Sequence, residues 1–246
     1  MTTRRILDDT EAASPRDVPE WLAPLAVATV GLEASAFSSF APPSGTRPRA
    51  ASVLVLFGGG GAAEGGRGED AHVVLLERSA SLRSHAGQVA FPGGAKDAGD
   101  PDDIHAALRE AHEETGLDPA GVHVLTVLPP LWLPPSNYTV TPVIGWWRDP
   151  SPLHAGDPAE TRSVHTVRLA ALLDPRHRVT VRHPSGHKGP AFVIGELVVW
   201  GFTAGILSRL FALVGWEQPW DQTRVIALPE RIAETSSGPP PDGDGP

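Results

Sequence analysis

Cysteine is absent from the 246 residues. Disulfides, thiolate metal sites and a cysteine nucleophile are therefore excluded, and a cytoplasmic location is the expectation. Positive charge is in short supply, with 20 Lys and Arg against 29 Asp and Glu and a net charge of −9. A general nucleic-acid binder carries a basic surface, so no nucleic-acid partner is expected. An anionic small-molecule substrate stays compatible, provided that local Arg and Lys or metal ions work against the net charge. Long hydrophobic runs are also missing. The most apolar stretch, Phe192 to Trp216, is broken by Glu196 and Arg209, and what lies between is far short of the roughly 20 residues that span a bilayer. Two arginines near the N-terminus have no apolar stretch behind them, so a secretory signal is not expected there. No membrane association is expected, no internal repeat is seen, and a homodimer stays open.

What is present is a 41% hydrophobic chain, enough for one substantial core. Residues 1–48 read as a polar N-terminal segment and a Ser/Pro-rich linker, partly flexible, with a short helix over Pro19–Val30. Residues 49–233 read as the folded domain. Residues 234–246, mostly Ser, Gly, Pro and Asp, read as a disordered tail. Inside the domain, Ala51–Phe57 and Ala71–Arg78 are apolar runs of strand length, joined by a Gly-rich connection that lacks the GK[ST] ending of a phosphate-binding P-loop. A loop-like segment, Leu82–Gly94, ends in Pro-Gly-Gly. Pro101–Thr115 is a helix, with Asp100 placed as its N-cap, Ile104, Leu108, Ala111 and Thr115 as its buried stripe, and Gly116 as its stop. Val122–Leu128, Tyr138–Trp146, Val164–Leu169, Val179–Arg182 and Phe192–Trp200 read as strands, and Gly201–Gly215 as a second, apolar helix. Many strands and two helices suggest a mixed sheet with helices on its faces, of the α/β (α+β) class.

Chemistry concentrates in Arg109–Leu117. Glu110, Glu113 and Glu114 fall at i, i+3 and i+4 and so share one helix face. Three carboxylates in one patch repel each other and suit hard cations such as Mg²⁺ or Mn²⁺. The bland reading is a solvated acidic face with Arg109 paired to Glu113. The Pro-Gly-Gly turn upstream argues against it, because glycine lets backbone N–H groups approach a substrate or a metal ligand closely.

Gly94, Arg109-Glu110, Glu113-Glu114 and Gly116-Leu117 resemble the Nudix box, G-x5-E-x7-R-E-U-x-E-E-x-G-U with U apolar. The interval from Gly94 to Arg109 is one residue longer than in that form, and the loop glutamate is missing, with Asp97 and Asp100 nearby. The preceding segment, Val74–Gly94, resembles the second motif of the coenzyme A diphosphatase branch of the family, with Leu75, Arg78, Ser79, Arg83, Gly87, Phe91, Pro92, Gly93 and Gly94 in register. Tyr138–Gly145 and Val198–Leu207 are similar to the same branch.

The resemblance implies a Nudix fold, a mixed sheet sandwiched between helices. It implies Mg²⁺- or Mn²⁺-dependent hydrolysis of CoA or acyl-CoA to 4′-phosphopantetheine, or its acyl form, and adenosine 3′,5′-bisphosphate. Glu110, Glu113 and Glu114 carry over as metal ligands, Arg109 as the residue that orients them, and Gly94 as the loop glycine, with Gly93 beside it on the substrate side. Arg78 and Arg83 are candidates for grasping phosphate, and a structural salt bridge is the alternative for either. A general base could be a box glutamate or a later carboxylate such as Asp157 or Glu160. His85, His112, Trp146, Trp147 and Trp200 fit structural roles better than chemical ones. Two alternative functions stay in view: hydrolysis of another nucleoside diphosphate such as ADP-ribose, and a Nudix module that binds a nucleotide without cleaving it. The intact glutamate triplet argues against the second.

Overall fold

Two strands of the computed structural model, β1 (Arg49–Gly58) and β7 (Tyr138–Trp147), lie parallel through the full register from Arg49↔Tyr138 to Gly58↔Trp147. The structure describes residues 18–38, 40–60, 70–82, 85–134 and 136–228. The expectations for residues 1–17, for residues 61–69 of the Gly-rich connection, for Arg83 and for the tail 234–246 lie outside the described residues.

Both strands are continuous apolar runs because the sheet is covered on both faces. Side chains alternate along a strand. Leu54 and Leu56 of β1 and Val143 of β7 join one core, whereas Val55, Phe57 and Ile144 join the other. The first core is closed by helix α2 (Asp103–Thr115) through Ala107, Leu108 and Ala111. The second is closed mainly by helix α4 (Gly201–Leu213) through Ile206, Leu207, Leu210 and Phe211. Two shorter helices, α1 (Ala23–Ala28) and α3 (Leu169–Leu173), pack there too, through Leu25, Leu169, Leu172 and Leu173. Leu54, Val55, Leu56 and Phe57 are each fully buried, and burial of each such side chain is worth about 1.5–3 kcal/mol.

The other edge of β1 is shared. Near its C-terminal end β1 pairs with β2 (His72–Arg78) antiparallel, at Phe57↔Val73. Near its N-terminal end it pairs with β4 (Gly93–Ala95), at Val53↔Gly93. Between β2 and β4 the chain leaves the sheet, adds β3 (Val89–Ala90) to β2, and returns. This excursion is the Leu82–Gly94 segment, read from sequence as a loop; β3 and β4 are too short to show a strand period. On the β7 side lie β5 (Val122–Val127) and the short β6 (Leu131–Leu133), both antiparallel to it. Strand β8 (Thr161–Arg168) pairs with β2. A smaller second sheet orders β11 (Leu197–Val199), β10 (Lys188–Ile194), β9 (Arg178–Arg182) and β12 (Val225–Ala227).

Several boundaries differ from the sequence reading. Phe192–Trp200 is not one strand: Ile194 pairs with Leu197, and Gly195 turns the chain with φ of 60°. Leu169 begins a helix rather than ending a strand. The N-cap of α2 is Asp102, not Asp100; its side chain accepts from the His105 N–H at 2.9 Å. Pro101 therefore precedes the cap. At the other end Gly116 has the left-handed conformation expected of a C-terminal stop, with φ of 67°.

This cap correction is testable. Asp102→Ala removes the acceptor for an N-terminal N–H and is expected to lower stability by about 1 kcal/mol. Thermal melts check it; an unchanged melting temperature would mean that the cap lies elsewhere.

Candidate active site

The site is assembled where β4 passes the acidic face of α2. Gly93 has φ of 153°, and a Cβ on it would strike the Ser52 carbonyl and the Val53 backbone of β1. Only glycine lets β4 lie this close. The Gly93 N–H then donates to Glu114 Oε2 at 2.8 Å. At Gly94 a Cβ would collide with the Glu110 carboxylate. Both glycines expected on the substrate side are thus placed directly against two of the glutamates.

Arg109 ties the loop to the helix. Its Nε donates to Asp100 Oδ1 and its terminal nitrogen to Asp100 Oδ2, each at 3.0 Å, in a two-pronged contact. The same side chain reaches the Ala95 carbonyl at 3.1 Å, Glu110 at 3.0 Å and Glu113 at 3.0 Å. These bonds, that to Asp100 first, raise the Arg109 pKa further above its already high ordinary value. Burial works to raise the pKa of Asp100, but the Arg109 bonds and the Asp97 N–H outweigh it and hold the carboxyl below its usual range. Asp100 thus serves the site and not the helix cap expected of it from its place before Pro101. A signal was available: Asp100 is six residues beyond Gly94, the place of the loop glutamate in the box, and the extra residue of spacing falls after it.

Glu114 is the buried member of the triplet, 6% exposed. Burial pushes its pKa up to about 7, against the pull of the Gly93 N–H and Arg78 and with the push of Glu110 and Glu160. Burial also raises Glu110, partly opposed by Arg109. The three glutamates line a cleft of about 130 Å³ together with Asp157, Glu160 and Thr161. The last three sit where the chain enters β8. The segment leading into them caps α2: the His154 N–H donates to the Thr115 carbonyl at 3.0 Å and the Gly156 N–H to the Glu114 carbonyl at 2.9 Å. Arg78, at the end of β2, lies 3.6 Å from Glu114. Arg83 lies outside the described residues.

The donor set suits a hard divalent cation: five carboxylates, no sulfur and no imidazole line the cleft. Among the described residues no three of these groups already converge on one ligating point. Glu110 and Glu113 are held by Arg109, and Glu114 by Gly93. A buried carboxylate with a raised pKa beside other acids is short of positive charge, which is the deficit a divalent ion fills. The histidines are occupied elsewhere. His112 Nδ1 is 2.8 Å from the Leu117 carbonyl, and His85 Nδ1 is 3.0 Å from Gln88. Trp147 is buried in the α2-side core, and Trp200 stacks on His183.

Two expected outcomes follow from this geometry. Asp100→Asn weakens the fork on Arg109 and is expected to reduce turnover roughly 10- to 100-fold, the usual cost of losing a group that orients ligands. Steady-state kinetics with a melt to confirm folding checks it; wild-type turnover would remove Asp100 from the site. The second concerns pH. Below about 4.5, Glu114 is protonated in both folded and unfolded states. Between about 4.5 and 7 the unfolded chain ionises while the folded one keeps its proton, so metal-free stability falls as pH rises and the contribution is lost above 7. Glu114→Gln lacks that dependence. Its melting temperature is expected to exceed wild type at pH 8 by more than at pH 4.5; an equal offset at both values would refute the raised carboxyl.

Comparison with known proteins identifies the family of the chain. Residues 46–185, more than half of the chain, match the NUDIX domain. The Uncharacterized Nudix hydrolase NudL of Escherichia fergusonii is 41% identical over 146 residues, covering 58% of this chain and 75% of that protein. Nudix hydrolase 15, mitochondrial, of Arabidopsis thaliana is 37% identical over 202 residues, covering 78% of this chain and 68% of that one. Among solved structures, RenU, a Nudix hydrolase from M. smegmatis, is similar at a TM-score of 0.46 and 21% identity, covering 71% of this chain and 91% of that one. The chain belongs to the Nudix family and is a Nudix hydrolase.

Proposed function

We propose that this enzyme hydrolyses the diphosphate linkage of coenzyme A or an acyl-CoA, giving 4′-phosphopantetheine, or its acyl form, and adenosine 3′,5′-bisphosphate. The observation that carries the substrate is the position of Arg78. The segment Val74–Gly94 resembles the second motif of the CoA diphosphatase branch, and its Arg78 reaches the carboxylate cleft at Glu114. Arg78 Nε is buried and without a hydrogen-bond partner among the described residues. A guanidinium N–H left unpaired beside a cleft for cations is well placed to take a phosphate oxygen.

Glu110, Glu113 and Glu114 are the residues that would hold Mg²⁺ or Mn²⁺. The ion supplies positive charge that neutralises the diphosphate and acidifies a water. Arg109 keeps Glu110 and Glu113 oriented. Asp157 or Glu160, on the other wall, accepts the proton of the attacking water as its oxygen bonds to one phosphorus, the phosphoanhydride P–O bond to that phosphorus breaks, and the other phosphate monoester leaves as the second product. Pockets that enclose a drug-sized ligand run to about 300–1,000 Å³. The cleft of about 130 Å³ therefore suits the ion and the diphosphate, with the rest of the substrate along its rim.

The test is a substrate panel. Purified protein with Mg²⁺ or Mn²⁺ is incubated with CoA, acetyl-CoA, ADP-ribose and NADH, and products are identified by mass. CoA or acetyl-CoA is expected to be cleaved with the highest kcat/KM, giving adenosine 3′,5′-bisphosphate. Faster cleavage of ADP-ribose, with CoA left intact, overturns the substrate. Glu160→Gln and Asp157→Asn, assayed on the best substrate, separate the two base candidates: the true base is expected to cost roughly 10²- to 10⁴-fold.

A further inference from the structure

Thr161 stands out among the residues that line the cleft. It is 1% exposed, and its hydroxyl has no hydrogen-bond partner among the described residues. A buried hydroxyl left unpaired costs stability, so a fold keeps one where something outside the chain completes it or where nothing has been gained by its removal.

The surroundings point to the first case. Thr161 is the first residue of β8, and its register partner on β2 is Arg78. Residues directly opposite in an antiparallel pair project from the same face of the sheet. A bulge sharpens this placement. Glu77 pairs with Ser163 and Arg78 with Thr161, so Arg162 is the extra residue, and it turns away to bind Glu77 at 2.8 Å. Bulges commonly re-aim side chains next to active sites. The backbone of Thr161 is fixed from the cleft side, its N–H donating to the Asp157 carbonyl at 2.8 Å. Two register-paired residues therefore each bring an unpartnered buried donor, Arg78 Nε–H and the Thr161 hydroxyl, to the wall beside Glu114.

We propose that Thr161 and Arg78 form one clasp for a non-bridging oxygen of the substrate diphosphate, with the Thr161 hydroxyl as its neutral donor. This inference rests on the diphosphate-hydrolase reading above. A guanidinium and a hydroxyl are both donors, and an oxyanion accepts from both at once. A metal ligand is the poorer match, since Glu110, Glu113 and Glu114 are the residues that would hold the ion and a neutral hydroxyl adds no charge to offset it. Thr161 Oγ1 lies out of solvent in the wall of the cleft.

The experiment uses Thr161→Val, which keeps shape and removes only the hydroxyl, and Thr161→Ser, which restores it. Three readings are taken: kcat/KM for CoA with Mn²⁺, calorimetric affinity for the non-hydrolysable diphosphate α,β-methylene-ADP with Mn²⁺ present, and affinity for Mn²⁺ alone. The valine variant is expected to lose roughly tenfold in kcat/KM and a similar factor in analogue affinity, the cost of one hydrogen bond to a charged group. Its Mn²⁺ affinity is expected to hold and its melting temperature to hold or rise, because the buried unpaired hydroxyl that valine removes costs stability. Serine is expected to recover most of the loss. An active wild type with an indistinguishable valine variant overturns the clasp alone. A loss of Mn²⁺ affinity in place of analogue affinity overturns it in favour of a metal ligand. A fall in melting temperature that serine fails to restore makes Thr161 structural and overturns it as well. A wild type that neither cleaves the panel nor binds the analogue removes the diphosphate reading and the clasp with it.

Discussion

Five carboxylates face one small cleft, and the contacts of Arg109 make that density compatible with a folded chain. Like charges at this spacing repel, and burial adds a desolvation cost that exposed acids escape. Arg109 offsets part of it by binding two of the five, Glu110 and Glu113, each at 3.0 Å. The arginine is itself held in place by Asp100 and the Ala95 carbonyl. The network therefore runs from a loop, through one guanidinium, to a helix face. Glu114 lies beyond its reach, and its compensation is a single backbone N–H and a more distant Arg78. Burial prevails at Glu114 over those two pulls and pushes its pKa up to about 7.

The split edge of β1 makes this arrangement possible. A sheet strand has two edges, and β7 takes the whole of one. On the other, β2 and β4 take opposite ends, so the chain between them must leave the sheet and re-enter it. Re-entry at Gly93 needs a residue without a Cβ, because the neighbouring strand occupies that space. The same geometry aims the Gly93 N–H at Glu114. The segment that would read the substrate and the segment that seats Glu114 are thus two ends of one excursion, fixed by strand pairing at both.

What was legible in the sequence is what local pattern determines. The 3–4 spacing of Glu110, Glu113 and Glu114 and the stop at Gly116 belong to a single helix, and they were read directly. Apolar runs at β1 and β2 read as strands by their length, since a strand buried on both faces shows no period of its own. Other features depend on partners distant in sequence. Asp100 satisfies the local rule for a cap before Pro101, yet Arg109 claims its carboxylate, and a tertiary ion pair with two hydrogen bonds outweighs one cap. Arg178 likewise depends on partners that only the fold brings to it. It is 2% exposed, stacked between Phe192 and Trp220 and bonded to Glu217 at 2.9 Å. Asp157 and Glu160 could be named as bases by residue type. Thr161 carried no signal at all, since its position depends on pairing with a strand some eighty residues earlier.

Selectivity and chemistry must then reside in different parts of this site. Metal ions and a diphosphate are common to many nucleotide substrates, so the carboxylate cleft cannot by itself distinguish among them. In the proposed reading the remaining groups of such a substrate lie along its rim. Discrimination falls to the rim, and there the described side chain nearest the cleft with a cationic group to spare is Arg78. An overall charge of −9 sharpens the point. Long-range steering of an anionic substrate is unfavourable on an acidic protein, so attraction has to be supplied within a few ångströms, by the ion, by Arg78 and by unpaired donors such as the Thr161 hydroxyl. A protein of this charge would bind a polyanion poorly unless its cation site was filled first. In the proposed reading, a divalent ion offsets part of the negative charge of the cleft before the diphosphate binds.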